Sequence, residues 1–322
     1  MQFSQALSML NGLLLSTNVV AFSFSPYVDL TLNTHWDSET QQMQAMDLVS
    51  PALKHGIKAY HLAFITDSGQ CHPAWGSQQA YSVETGWGSQ QTNLLTKKGI
   101  QINVSFGGAN GNDISSACNQ SQLVRLFKQV ITTYHANALD FDIENGSADV
   151  PKLLSALKII HKAHPKIKLS FTLPVMPEGL TFQGKEVVKA AQKEGLEFTV
   201  NVMAMDYGPA YGGDMGQYAT QAAYNVQQFL KTLYPKRSST ELWQQVEITP
   251  MIGVNDVATE HFTLDNADYV KSFALKNHLG GIAMWSLTRD KPCADKWASP
   301  TCSGGNLQQK EYEFVDHFLA TH

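Results

Sequence analysis

Eight short apolar runs, with helical spacing in the segments between them, constrain this chain more than anything else in its 322 residues. The runs are Val19–Phe24, Ala59–Ile65, Ile100–Phe106, Ala138–Ile143, Ile167–Leu173, Phe198–Met205, Val246–Ile252 and Gly281–Trp285. Each is rich in β-branched or aromatic residues and is bounded by Gly, Pro, Asn or Asp, which predicts a strand. Apolar residues recur every three or four positions in Gln122–Tyr134, Val150–Ala163, Ala222–Tyr234, Ala267–Asn277 and Leu307–Leu319. That period predicts helices with one buried face. Strands that alternate strictly with helices pair in parallel through right-handed crossovers. Eight such units predict an α/β fold, a closed (β/α)8 TIM barrel with extended loops after its strands. No repeat or linker interrupts the series, so residues 1–322 read as one domain, with 1–17 as an N-terminal extension.

Composition narrows the function classes. Hydrophobic residues make up 43% and charged residues 16%, enough for a large core and against disorder. The net charge is −5 and no Lys/Arg block occurs, so neither nucleic acid nor an acidic membrane surface is an expected partner. The apolar opening, Leu7 to Val20, is interrupted by Ser8, Asn11, Ser16, Thr17 and Asn18 and has no basic residue ahead of it. It reads as a poor signal peptide, and no membrane span is expected. Cys71, Cys118, Cys293 and Cys302 form no CxxC pair, so no metal site is expected of them. Cys293 and Cys302 flank a short loop, and the barrel reading puts Cys71 and Cys118 in adjacent loops. Two disulfides and an oxidising, extracellular compartment are therefore expected.

The fourth run carries the chemistry. It reads Asn137-Ala138-Leu139-Asp140-Phe141-Asp142-Ile143-Glu144-Asn145. Side chains alternate between the faces of a strand, so Asp140, Asp142 and Glu144 share one face and Phe141 and Ile143 the other. An apolar Phe/Ile face suits the helical layer, which turns the acids inward. Like charges a few ångströms apart raise at least one pKa. A carboxyl group kept protonated at a barrel mouth is the general acid that glycoside cleavage needs.

This acid file resembles the active-site strand of glycoside hydrolase family 18, the retaining chitinases, whose pattern is Asp-Gly-x-Asp-x-Asp-x-Glu. Asp140, Asp142 and Glu144 match its last three acids, while Asn137 and Ala138 replace the first two residues. Ser105-Phe106-Gly107-Gly108 resembles the family's Ser-x-Gly-Gly motif on strand three. Met203-Ala204-Met205-Asp206-Tyr207 resembles its strand-six Met-x-Tyr-Asp motif, with Met205 in place of Tyr. Trp285 ends strand eight, where the family places an aromatic floor.

The resemblance implies hydrolysis of β-1,4-N-acetylglucosamine linkages in chitin with retention. Glu144 would protonate the glycosidic oxygen, and the acetamide of the substrate would attack its own anomeric carbon. Asp142 would hold the acetamide and Asp140 would support Asp142. No cofactor is expected, because the N-acetyl group is itself the nucleophile. Met203, Met205, Asp206, Tyr207, Trp285, Ser105 and Gly107 would contact substrate, with Tyr207 standing in for the Tyr that Met205 replaces. Trp36 and Trp75, with Trp87, lie in or near mouth loops and suit sugar stacking. Trp243 reads as a packing residue, and Trp297, inside the Cys293–Cys302 loop, as a structural one. The expected partner is chitin or another N-acetylglucosamine polysaccharide, and the expected state a secreted monomer. An endo-β-N-acetylglucosaminidase on protein-linked glycans would use the same acids, and a chitin-binding lectin is the non-catalytic alternative.

Overall fold

A computed structural model describes residues 22–320. The apolar opening stretch and the start of the first predicted strand, residues 19–21, lie outside the described residues. The eight barrel strands are β1 (Ser23–Phe24, resumed at Tyr27–Asp29), β2 (Ala59–Asp67), β3 (Gln101–Gly107), β4 (Ala138–Asp142), β5 (Lys168–Met176), β6 (Thr199–Ala204), β7 (Val246–Pro250) and β8 (Gly281–Ile282). Their hydrogen-bonded order is sequential and every neighbouring pair is parallel.

The interrupted first strand closes the sheet. Ser23 and Phe24 pair with Gly281 and Ile282 of β8, whereas Tyr27–Asp29 pairs with His61–Ala63 of β2. Ser25-Pro26 joins the two halves, and the Ser25 and Tyr27 N–H groups still donate to Ile282 and Met284. Proline is tolerated here because its missing N–H leaves no ladder bond broken, while its carbonyl accepts from His61 N–H at 3.0 Å.

The helical layer consists of α1 (Val49–His55), α2 (Ser89–Lys97), α3 (Gln120–Thr133), α4 (Val150–Ala163), α5 (Phe182–Lys193), α6 (Met215–Leu233), α7 (Leu264–Asn277) and α8 (Glu313–Leu319). Local chemistry sets their starts. Asn119 and Gln122 form a reciprocal capping box on α3, as Thr263 and Asn266 do on α7, and Asp149 caps α4 ahead of Pro151. The predicted Leu307 start of the last helix is six residues early. Asn306 and Tyr312 take left-handed conformations, and the chain between them is tied to Asp290, which accepts from the Gln308 amide and the Tyr312 N–H.

Outward side chains bind the two layers. Phe141 stacks on Phe106 at 5.3 Å and meets Phe127 of α3 edge-on at 5.5 Å. Phe171 and Phe198 continue the same aromatic seam. Inward positions are polar instead: Ser105, Asp140, Asp142, Ser170, Thr172, Asn201 and Thr249, all buried. Cys71 is bonded to Cys118 and Cys293 to Cys302, joining the loops as expected. Among the described residues no helix is long and apolar enough to cross a membrane.

Candidate active site

A cavity of about 700 Å³ opens at the C-terminal ends of the strands, the face on which barrels of this kind build their sites. The strand-four acids rise into it from below.

Asp140 sits deepest and is fully buried. Its Oδ2 accepts the Tyr27 phenol at 2.9 Å and the Ser105 hydroxyl at 2.5 Å. Its Oδ1 accepts the hydroxyls of Ser170 at 2.6 Å and Thr172 at 2.8 Å. These four donors come from β1, β3 and β5: Ser105 and Ser170 are the register partners of Asp140 on the two flanking strands, and Tyr27 reaches it from across the barrel. Asn201 of β6 extends the ring by donating to Tyr27 Oη and Thr172 Oγ1, both at 3.1 Å. Burial and the nearby Asp140 and Asp142 charges raise the Tyr27 phenol, which therefore remains a donor.

Asp142 lies one layer higher and is also buried. Its Oδ1 has no hydrogen-bond partner among the described residues. Burial raises its pKa well above the ordinary aspartate value, and the charges of Glu144, Asp140 and Asp113 add to the effect. Glu144, just past the end of β4, is half-buried in the cavity wall. Burial, with Asp206 and Asp256 across the cavity, pushes it up to about 7. A carboxyl group in that range can both give and take a proton near neutral pH.

The loop carrying Glu144 is laced to its neighbour. Asn145 donates to the carbonyls of Gly108 at 2.9 Å and Gly111 at 3.0 Å, and the Ser147 hydroxyl accepts from Asp113 N–H at 2.9 Å. Trp285 lines the cavity, stacked on Phe64 at 5.5 Å with Tyr27 at 6.0 Å. Met203, Met205 and Asp206 line the cavity too.

Several expected contacts are placed elsewhere. Ser105 is fully buried and its hydroxyl is spent on Asp140. Gly107 lies against the backbone of Asp142 and has no place among the cavity-lining residues. Tyr207 does not substitute for the missing Tyr. β6 ends at Ala204 and Asp206 adopts φ 53°, so the two-residue alternation that would align Tyr207 with Met205 is lost. Tyr207 packs instead against Tyr211 and Tyr218.

Trp75 is completely buried, its indole N–H donating to Tyr134 at 3.2 Å and its ring edge-on to that tyrosine. Trp87 stacks on Tyr81 and donates to Met43 O. Neither presents a face to sugar. A Trp75→Phe variant is therefore expected to lower the melting temperature while leaving KM for an oligosaccharide unchanged. The loss would be about 1–3 kcal/mol, from a missing buried hydrogen bond and unfilled volume. Thermal denaturation beside steady-state kinetics reads both quantities. Trp36 remains 58% exposed on the short hairpin His35–Asp37/Gln42–Gln44. Trp297, in the loop closed by the Cys293–Cys302 bond, is 72% exposed, so its ring is not packed against the fold. Trp243 is buried edge-on to Phe273, as read.

Residues not singled out from the sequence complete the lining: Tyr27, Asp29, Phe64, Thr172, Val175 and Asp256 among them. Asp256 follows the end of β7, a position that marks it as a mouth residue once the strand is placed. Tyr27 carried no such signal, because its partners are far away in sequence.

No family model matches the sequence. Curated relatives do. The chain is 34% identical over 316 residues to the probable bifunctional chitinase/lysozyme of Escherichia coli (strain K12), covering 92% of this chain and 34% of that protein. It is 33% identical over 289 residues to endochitinase 11 of Metarhizium anisopliae, covering 84% of this chain and 53% of that protein. The chain thus spans about a third to a half of the length of these two relatives. Among solved structures, active domain 2 of the thermostable chitinase from Pyrococcus furiosus, a catalytic-site mutant complexed with chito-oligosaccharides, superposes with a TM-score of 0.82 at 34% identity. That match covers 92% of this chain and 93% of the other. With the acid file on the fourth strand of a closed barrel, the chain belongs to the chitinases of glycoside hydrolase family 18.

Proposed function

We propose that this protein hydrolyses β-1,4-linked N-acetylglucosamine chains with retention, using the substrate's own acetamide as nucleophile. The observation that carries the reading is the vertical file Asp140–Asp142–Glu144, buried at its base and opening into the cavity at its top. The chito-oligosaccharides bound to the related Pyrococcus furiosus domain support the substrate class.

Glu144, held up to about 7, gives its proton to the glycosidic oxygen as the bond to the anomeric carbon breaks. The acetamide oxygen attacks that carbon from the opposite side, and the positive charge spreads over the new oxazolinium ring. The unpartnered Asp142 Oδ1 is the group available to accept the acetamide N–H. An acceptor already desolvated and fixed needs no reorganisation when charge develops beside it. Asp140, held by its four hydroxyl donors, places a fixed carboxylate beneath Asp142 whose charge favours the protonated form of that group. Water, deprotonated by Glu144, then opens the ring and restores the acid. Trp285 supplies an aromatic floor for the sugar.

Two outcomes follow. Hexamers of N-acetylglucosamine are expected to be cut to shorter oligomers, whereas cellohexaose, which lacks the acetamide, stays intact. Mass spectrometry of the products decides this, and comparable cleavage of both would exclude substrate assistance. The rate should also fall as pH rises through about 7, because only protonated Glu144 can donate. A pH profile of kcat that stays level well into the alkaline range would contradict the assignment. We further propose that the protein acts outside the cell as a monomer, a compartment that its two disulfides suit.

A further inference from the structure

The loops after β6 and β7 are tied together by two carboxylates that reach in opposite directions. After β6 the chain turns sharply through Asp206 at φ 53° and Gly208 at φ 111°. A non-glycine residue in the left-handed region persists only where its surroundings hold it. Glu260 does so from the neighbouring loop. Its Oε1 accepts the Gly208 N–H at 2.7 Å, and the N–H groups of Asp206 and Tyr207 face the same carboxylate. In return, Asp206 Oδ1 accepts the Val257 N–H at 2.9 Å.

Glu260 itself is fixed. It immediately precedes the strand His261–Phe262, which pairs with Gly253–Val254, and its carbonyl accepts the Asn255 N–H at 3.0 Å. The buried Arg289 guanidinium braces the base of that hairpin through the carbonyls of Ile252 and Val254. Glu260 is fully buried, yet no cation pairs with it among the described residues. A buried carboxylate without a counter-charge is costly, and an apolar side chain would serve packing better.

We propose that Glu260 is a positioning residue for the glycosidic reaction. By holding the Asp206–Gly208 turn it keeps the Asp206 carboxylate facing Glu144 across the cavity, where its negative charge opposes loss of the donor's proton. The inference rests on the reading of Glu144 as proton donor. The charged groups that act on Glu144 come from three elements: Asp142 on β4, Asp206 after β6 and Asp256 after β7. Asp206 in turn faces Asp256, Glu260, the Tyr207 phenol and the Arg289 guanidinium. Asp206 therefore sits within a balance of charges, and its distance from Glu144 depends on the turn that Glu260 holds.

The test compares wild type with Glu260→Gln, Asp206→Asn and the double variant. The readouts are kcat and KM for N-acetylglucosamine hexamer across the pH range. Glu260→Gln is expected to move the alkaline limb of kcat to lower pH by roughly half a unit to one unit, the scale of a nearby like charge withdrawn. KM should change little. Asp206→Asn should move the limb the same way, and the double variant no further than Asp206→Asn alone. A Glu260→Gln enzyme whose kcat falls by one factor at every pH, with its limb in place, would overturn the proposal and leave Glu260 a purely structural role. If that variant does not fold, Asp206→Asn still decides, since an unmoved limb there is equally fatal. Glu144→Gln run in parallel separates the two readings. Should it retain activity, the donor assignment fails and this inference with it. Should it be inactive while the Glu260 and Asp206 variants leave the limb unmoved, only this inference fails.

Discussion

A Glu144→Gln variant is expected to lose about 10²–10⁴-fold in turnover of N-acetylglucosamine hexamer, the usual contribution of a positioned general acid. Glutamine keeps the shape of the side chain but cannot supply a proton to the departing oxygen. Asp142 cannot take over, because it lines the cavity a layer deeper than Glu144, where it is placed for the acetamide and not for the departing oxygen. Asp206 and Asp256 reach the cavity from the opposite side and raise Glu144 through their charges. Binding of the hexamer should survive, since the Trp285 floor and Asp142 are untouched. Product formation by mass spectrometry, with calorimetric binding of the same oligomer, reads both effects. A variant within tenfold of wild type would falsify the donor assignment. Loss of binding and turnover together would point instead to a collapsed cavity.

Gly107→Ala is the second large effect, and it concerns a residue outside the cavity lining. Gly107 ends β3 at φ 90° and lies directly against β4. A Cβ added there would fall 2.2 Å from the carbonyl oxygen of Asp142 and 3.3 Å from a carboxylate oxygen of Asp113. That carbonyl also accepts the Gly108 N–H at 3.0 Å, so the end of β4 cannot recede without breaking a ladder bond. Overpacking of this kind costs ~1–3 kcal/mol, and the left-handed conformation adds ~1–2 kcal/mol. A fall in melting temperature of roughly 3–7 °C should follow. Displacement of Asp142 by about 1 Å would also lower kcat by roughly 10²-fold. Gly146→Ala is the matched comparison: it too has positive φ, but nothing lies within 4 Å of its added Cβ. Equal behaviour of the two variants would show that backbone strain alone, and not the approach to Asp142, accounts for the loss.

The outcome at Gly107 illustrates where motif reading stops. Ser105 and Gly107 belong to a pattern that marks the site, and both do sit beside the acids. Their work is one layer back: one hydroxyl steadies Asp140, and one missing side chain lets β3 close on β4. A one-dimensional pattern tells which residues gather at a site, but not which way each faces. Tyr207 makes the same point from the other side. Strand alternation would align it with Met205, but the alternation ends where Asp206 turns left-handed, and Glu260, more than fifty residues away, supports that turn.

What the sequence determined by itself was what depends on local composition and periodicity. The eight strands were legible as short β-branched or aromatic runs bounded by Gly, Pro, Asn or Asp, and the longer helices because their apolar residues recur every three to four positions. The direction of the acid file was legible for the same reason: Phe141 needed the helical layer, so Asp140, Asp142 and Glu144 had to face inward. Tertiary structure alone decided what surrounds that file. The barrel sets Ser105, Ser170 and Thr172 beside Asp140 through the register of the flanking strands and brings Tyr27 of β1 onto the same carboxylate from across its interior. It sinks Trp75 and leaves Trp297 in solvent, although both are tryptophans in loops of the same face. Hydrogen bonds and charges act through space over a few ångströms, and local periodicity carries no information about which distant strands will supply them.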